Sequence, residues 1–84
     1  MREYTVRLKP RAQKELTLLN KEMRQRLIIA LERLQKDLAG DVKRLTNFTP
    51  EYRLRVGDYR VLFELEDNDI IVYRICPRRD AYRK

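Results

Sequence analysis

The chain of 84 residues carries 20 Lys+Arg against 13 Asp+Glu, a formal net charge of +7, with 43% hydrophobic and 39% charged content. That length fits one domain over residues 1–84 with a single modest core, while the charge density and the lack of an apolar run near ~20 residues argue against a membrane span. One cysteine, Cys76, and no histidine leave neither an internal disulfide nor a zinc-ligand set, and with no apolar block at the N-terminus they fit a reducing cytoplasm.

Residues 3–8 alternate, with Tyr4, Val6 and Leu8 on one side, and predict a half-buried strand. Pro10 suits the first turn of a helix over about 11–19 that buries Ala12, Leu16 and Leu19. Asn20 then breaks the chain and caps a second helix over 21–38. Its stripe is Met23, Leu27, Leu31, Leu34 and Leu38, and Gly40 is expected to end it. Ile29 projects away from that stripe among charged residues. It is either an incidental exposed isoleucine or part of a partner surface.

Residues 39–51 read as a loop, with Asn47 and Pro50 as breakers. The run 52–63 then reads as a tight hairpin with Gly57-Asp58 at its tip, pairing Val56 with Tyr59 and Arg55 with Arg60. Side-chain alternation places Tyr52, Leu54, Val56, Tyr59, Val61 and Phe63 on one face and Arg53, Arg55 and Arg60 on the other. A last strand, 70–76, follows the turn at Asp67-Asn68-Asp69. A three-residue turn directs Ile71, Tyr73 and Ile75 to the core and Arg74 to the arginine face, whereas a two-residue turn flips the strand. Residues 78–84 read as a short basic tail. One strand, two helices and three strands predict an α+β fold: a two-layer sandwich with both helices on one face of a four-stranded, antiparallel-rich sheet. The face bearing the arginines is left free.

Arginines directly opposite one another weaken a hairpin, by roughly 0.2–1 kcal/mol relative to neutral pairs. A bound phosphate is a reason to place them there, since the planar guanidinium suits phosphate oxygens. On this reading Arg60 is dispensable for folding, and its removal leaves stability unchanged or slightly raised. Net charge supports a polyanionic partner, nucleic acid in preference to a merely solvated basic surface. The chain has no serine or histidine, so Ser-His and Cys-His catalysis are unavailable in their usual forms. Cys76 reads as a small buried filler, and Glu64, Glu66, Asp67 and Asp69 as a solvated hairpin tip. What remains is arginine with tyrosine, enough to clamp a phosphate, stabilise a phosphorane and stack a base.

The runs Lys43-Arg44-Leu45, Tyr52 to Val61 and Arg78-Arg79-Asp80-Ala81-Tyr82-Arg83 resemble the RelE/ParE superfamily of toxin–antitoxin toxins over essentially the whole chain. The RelE branch of that resemblance implies a microbial-ribonuclease-like fold and a ribosome-dependent endoribonuclease. Such an enzyme cuts mRNA to a 2′,3′-cyclic phosphate and a 5′-hydroxyl without metal or cofactor. The resemblance also implies a cognate RelB-like antitoxin that wraps the toxin and carries the complex to its own operator DNA.

By the same resemblance, Arg53 and Arg55 fall where the family places basic active-site residues. Arg60 would stabilise the phosphorane, Arg78 would protonate or shield the leaving 5′-oxygen, and Tyr82 would stack on a base or help deprotonate the 2′-hydroxyl. Lys43, Arg44, Arg74, Arg79 and Arg83 would contact RNA. Cys76-Pro77 stands where many relatives have Gly-His, and arginine at 53 and 55 replaces lysine, so the general base is unassigned. The alternatives are a ParE-like inhibitor of DNA gyrase and a basic nucleic-acid-binding module without catalysis.

Overall fold

The computed structural model describes residues 2–82. The elements are β1 (Thr5–Leu8), α1 (Pro10–Thr17), α2 (Lys21–Leu34), β2 (Asp41–Arg44), β3 (Tyr52–Val56), β4 (Tyr59–Glu66), β5 (Asp69–Pro77) and α3 (Arg78–Ala81). The strands form one sheet in the order β1-β5-β4-β3-β2. Pairing is antiparallel except between β1 and β5, which run parallel. Ala12 of α1 and Leu27, Leu31 and Leu34 of α2 pack on Leu54, Val61, Phe63, Ile70 and Val72 of the sheet. The α+β sandwich is therefore as expected, but the sheet has five strands, not four.

The extra strand is β2, inside the stretch expected to be a loop. Val42 is its one apolar residue, and it pairs with Leu54 on the core face. Four residues with three charges show no alternation to read. Such a short, charged strand is the usual way to finish a sheet edge without inviting further pairing.

Pro10 takes the first turn of α1 as expected, and the Asn20 side chain caps α2 by accepting from the Met23 amide at 2.8 Å. The second helix stops at Leu34, short of the expected 38. The reason is a competing set of backbone bonds. The Tyr4 amide donates to the Gln35 carbonyl and the Asp37 amide to the Arg2 carbonyl, both at 2.8 Å. Asp37 and Leu38 adopt φ of 58° and 56°, which returns Leu38 to the core edge where the stripe had placed it. Gly40 thus lies beyond the helix and does not cap it.

The hairpin pairs Val56 with Tyr59 and Arg55 with Arg60, as read from the sequence. Gly57 takes φ 58° at its tip, a conformation that favours glycine. The following turn is the two-residue alternative, because Glu66 pairs directly with Asp69. Ile70 and Val72 therefore enter the core in place of Ile71 and Tyr73. A bulge then intervenes: Phe63 faces Val72 while Leu62 faces Arg74, leaving Tyr73 as the extra residue. The bulge restores Ile75 to the core and Arg74 to the outer face.

β1 covers the edge of β5 only as far as Val72. Beyond it, Glu15 of α1 takes over. Its Oε1 accepts from the Ile75 amide at 2.8 Å, and its Oε2 accepts from Arg74 Nε and Nη2, each at 2.9 Å. This hydrogen bond with Glu15 raises the pKa of Arg74 above the ordinary arginine value. Glu15→Ala strips the amide of its partner and leaves a half-buried guanidinium unpaired, an expected loss of ~1–3 kcal/mol. Glu15→Gln retains an acceptor for the amide and should cost less. Urea denaturation of the two variants checks that order.

The outer face of the sheet is only partly free. Residues 45–51 fold back over it, with the Glu51 amide donating to the Glu64 carboxylate, and α3 packs on β4 and β5 in place of a loose tail. Leu62, Cys76 and Ala81 are buried there, outside the main core. No helix among the described residues is long and apolar enough to cross a membrane.

Candidate functional site

The uncovered part of the outer face is a cleft of about 320 Å³ lined by Lys43, Leu45, Arg53, Arg55, Arg60, Arg78 and Tyr82. Register explains the gathering. Lys43 of β2 pairs with Arg53 of β3, and Arg55 pairs with Arg60 of β4. The hairpin tip is then tied to the start of α3 by the Arg78 amide, which donates to the Asp58 carbonyl at 2.8 Å. That bond brings Arg78 and Tyr82 to the cleft from the far end of the chain.

No carboxylate is among the lining residues. Two cations about 6 Å apart repel by roughly 3 kcal/mol at an effective dielectric of ~20, so a cleft with five cationic side chains favours an anion strongly. Each arginine is held differently. Arg53 Nη1 donates to the Asp41 carbonyl at 3.0 Å and pairs with the Asp41 carboxylate at 3.3 Å, which fixes its guanidinium while leaving part of it open. Arg55 is exposed on the cleft rim.

Arg60 departs from expectation. It is only 6% exposed, and Nη1 donates to the carbonyls of Gly57 and Tyr59, both at 3.0 Å. Its side chain curls back onto the turn, neutralising carbonyl dipoles that the tight hairpin directs inward. The notion that removing Arg60 leaves stability unchanged or raised is therefore corrected: Arg60 braces the hairpin.

Tyr82 is 44% exposed, and its ring meets Phe48 edge-on, with centroids 5.7 Å apart. This contact holds the tyrosine at the cleft wall. Cys76 pairs with Arg60 across the sheet but is buried, and burial pushes its thiol pKa up, as suits an inert filler.

The remaining residues expected to touch RNA are dispersed. Arg44 pairs with Glu51 at 3.2 Å, away from the cleft. Arg74 is engaged by Glu15. Arg79 lines an adjoining depression with Arg78 and Tyr82. Arg83 lies outside the described residues. Asp41, which holds Arg53, had no mark in the sequence because its strand had none. Arg26 of α2 was also missed: its guanidinium lies so close to the hairpin tip that a Cβ on Gly57 would stand 3.2 Å from it.

Residues 6–82 match the family model described as the ParE toxin of the type II toxin-antitoxin system, parDE. Toxin RelE3 of Methanocaldococcus jannaschii is 32% identical over 65 residues, covering 71% of this chain and 74% of that protein. Two solved structures are similar throughout. The toxin of the archaeal RelE-RelB complex from Pyrococcus horikoshii superposes with a TM-score of 0.76 at 28% identity, covering 94% of this chain and 99% of its own. The RelB-RelE antitoxin-toxin complex from Methanococcus jannaschii gives 0.73 at 26% identity, covering 89% and 93%. With a family match over nearly its full length and a fold shared over most of the chain, the chain belongs to the RelE/ParE superfamily of type II toxin–antitoxin toxins.

Proposed function

We propose that this toxin is a ribosome-dependent endoribonuclease that cleaves mRNA in the arginine cleft. The observation that carries the reading is the convergence of Lys43, Arg53, Arg55, Arg60, Arg78 and Tyr82, from three strands and the last helix, on one cleft without a carboxylate. The 2′-oxygen attacks the adjacent phosphorus, the bond to the 5′-oxygen breaks, and the products are a 2′,3′-cyclic phosphate and a 5′-hydroxyl. Arg53, Arg55 and Arg60 hold the phosphate, and the Arg60 guanidinium, which lines the cleft, meets charge that builds on the phosphorane. Arg78 shields the leaving oxygen, and Tyr82 stacks on a neighbouring base or takes part in proton transfer.

The partner we propose is a RelB-like antitoxin, since the similar archaeal toxins are seen with RelB. A groove of about 420 Å³ between α2 and the β2–β3 edge offers it a seat. Ile29 and Leu54 line the groove, and Arg26, Arg33 and Arg55 stand around it. An acidic, apolar segment that orders as it binds would cover Ile29 and reach the cleft through Arg55, which lines both.

A second reading rests on the family match, whose description is that of a ParE toxin: the chain would then inhibit DNA gyrase. Brief induction in a bacterial host, followed by mapping of RNA 5′ ends, separates the two. Breaks inside codons of translated messages are expected. Intact mRNA with cleaved DNA would select the gyrase reading, and undamaged RNA and DNA would remove both.

A further inference from the structure

A second cleft, of about 460 Å³, opens on the same outer face, beyond the Phe48–Tyr82 contact. Its walls are Lys9, Arg11, Phe48, Leu62, Tyr73 and Arg74. Its size is within the roughly 300–1,000 Å³ of small-ligand sites. Glu15 engages Arg74 fully and reaches Arg11 at 3.9 Å, so one carboxylate lies beside three cations and the cleft stays net positive. The Lys9 ammonium sits 5.4 Å from the centre of the Tyr73 ring. No acidic side chain holds it there among the described residues.

The two clefts are one step apart. Arg60 lines the first and Leu62 the second, two residues along β4 on the same face, a rise of about 7 Å. A single nucleotide step of an extended strand covers that distance. The ridge between the clefts is itself aromatic: Phe48 belongs to the second and Tyr82 to the first. Tyr73 follows the core residue Val72 and so leaves the sheet on its outer side, and the bulge there sets Arg74 on the same side next to it.

We propose that this second cleft is a nucleotide subsite. It holds the residue of the RNA strand next to the scissile phosphate, with its base against Phe48 and Tyr73 and its phosphate on Lys9 and Arg11. A phosphate competes with the Tyr73 ring for the Lys9 ammonium, so entry of the nucleotide opens the ring face that the base then covers. Lys9 and Arg11 are strand-positioning residues. The inference rests on the RNA reading of the arginine cleft and extends it along the sheet.

Amide shifts of the ¹⁵N-labelled protein, titrated with 2′-O-methyl RNA that lacks an attacking hydroxyl, test it. A dinucleotide, with its one phosphate in the arginine cleft, is expected to move the amides of Arg55 and Arg60 and, through the base beside that phosphate, those of Phe48 and Tyr73. A hexanucleotide, which adds a phosphate for Lys9 and Arg11, is expected to move the Lys9 amide as well. The double variant Lys9→Ala, Arg11→Ala alters only exposed side chains. It should bind the hexanucleotide about tenfold more weakly and the dinucleotide as before, with a salt slope shallower by about 0.7 for each phosphate contact removed. Hexanucleotide shifts confined to the arginine cleft, or unchanged hexanucleotide affinity in the variant, would overturn the subsite and leave the RNA reading standing. Shifts in neither cleft with either probe would remove both.

Discussion

Replacing Arg60 with alanine should slow cleavage on programmed ribosomes by about a hundredfold or more, the usual cost of losing a donor aimed at developing charge. The same change should lower stability by roughly 1–2 kcal/mol. The charge-assisted interaction of Nη1, shared between the Gly57 and Tyr59 carbonyls, is lost, worth ~1.5–3 kcal/mol. Relief of the repulsion from Arg55 returns only ~0.2–1 kcal/mol. The first term decides the sign. A domain with at least ~5 kcal/mol of stability remains overwhelmingly folded after such a loss, so the drop in rate is not one of unfolded protein. Arg60→Lys should recover part of the rate, since an ammonium keeps the charge and loses the planar fork. Urea denaturation beside single-turnover cleavage measures both effects. Cleavage at the parent rate by a folded Arg60→Ala protein would take Arg60 out of the phosphate site.

Naked mRNA should survive the purified toxin, and the same message programmed into ribosomes should be cut. The cleft offers cations in abundance and few groups able to move a proton: no histidine in the chain, and arginine, which does not readily deprotonate, at 53 and 55. Its contribution is charge and grip. Alignment of the 2′-oxygen with the breaking bond must come from elsewhere, and fixed geometry is worth up to ~7–11 kcal/mol of barrier. A bound message held in a decoding site meets that need. Comparable rates on naked and ribosome-bound RNA would show that the cleft aligns its own substrate.

The hairpin from Tyr52 to Phe63 was legible because two independent signals, a glycine at the tip and strict alternation on either side, agree on one register. That register alone brings Arg53, Arg55 and Arg60 to one face, so the heart of the site was legible too. The α2 stripe was equally plain, but its end was not, since the helix yields to backbone bonds with residues at the other end of the chain. β2 left no trace because a charged edge strand is chosen for what it refuses to pair with. The flip of Ile70 and Val72 into the core turned on a single residue of turn length. No composition rule weighs that against the bulge at Tyr73. Arg60 was misjudged for a related reason: alternation tells which face a side chain leaves from, not that it then bends back onto its own turn.

The parallel pairing of β1 with β5, Thr5 beside Asp69 and Leu8 beside Val72, has a consequence for how the molecule is born. A nascent chain leaving the ribosome holds its first strand without a mate until β5 has been added. Arg78 and Tyr82 are later still. Until those residues emerge, the sheet lacks an interior strand and the cleft lacks a wall. A copy that stops short of β5 therefore has neither a complete sheet nor a complete cleft. Non-local closure of this kind is also slow compared with helix formation.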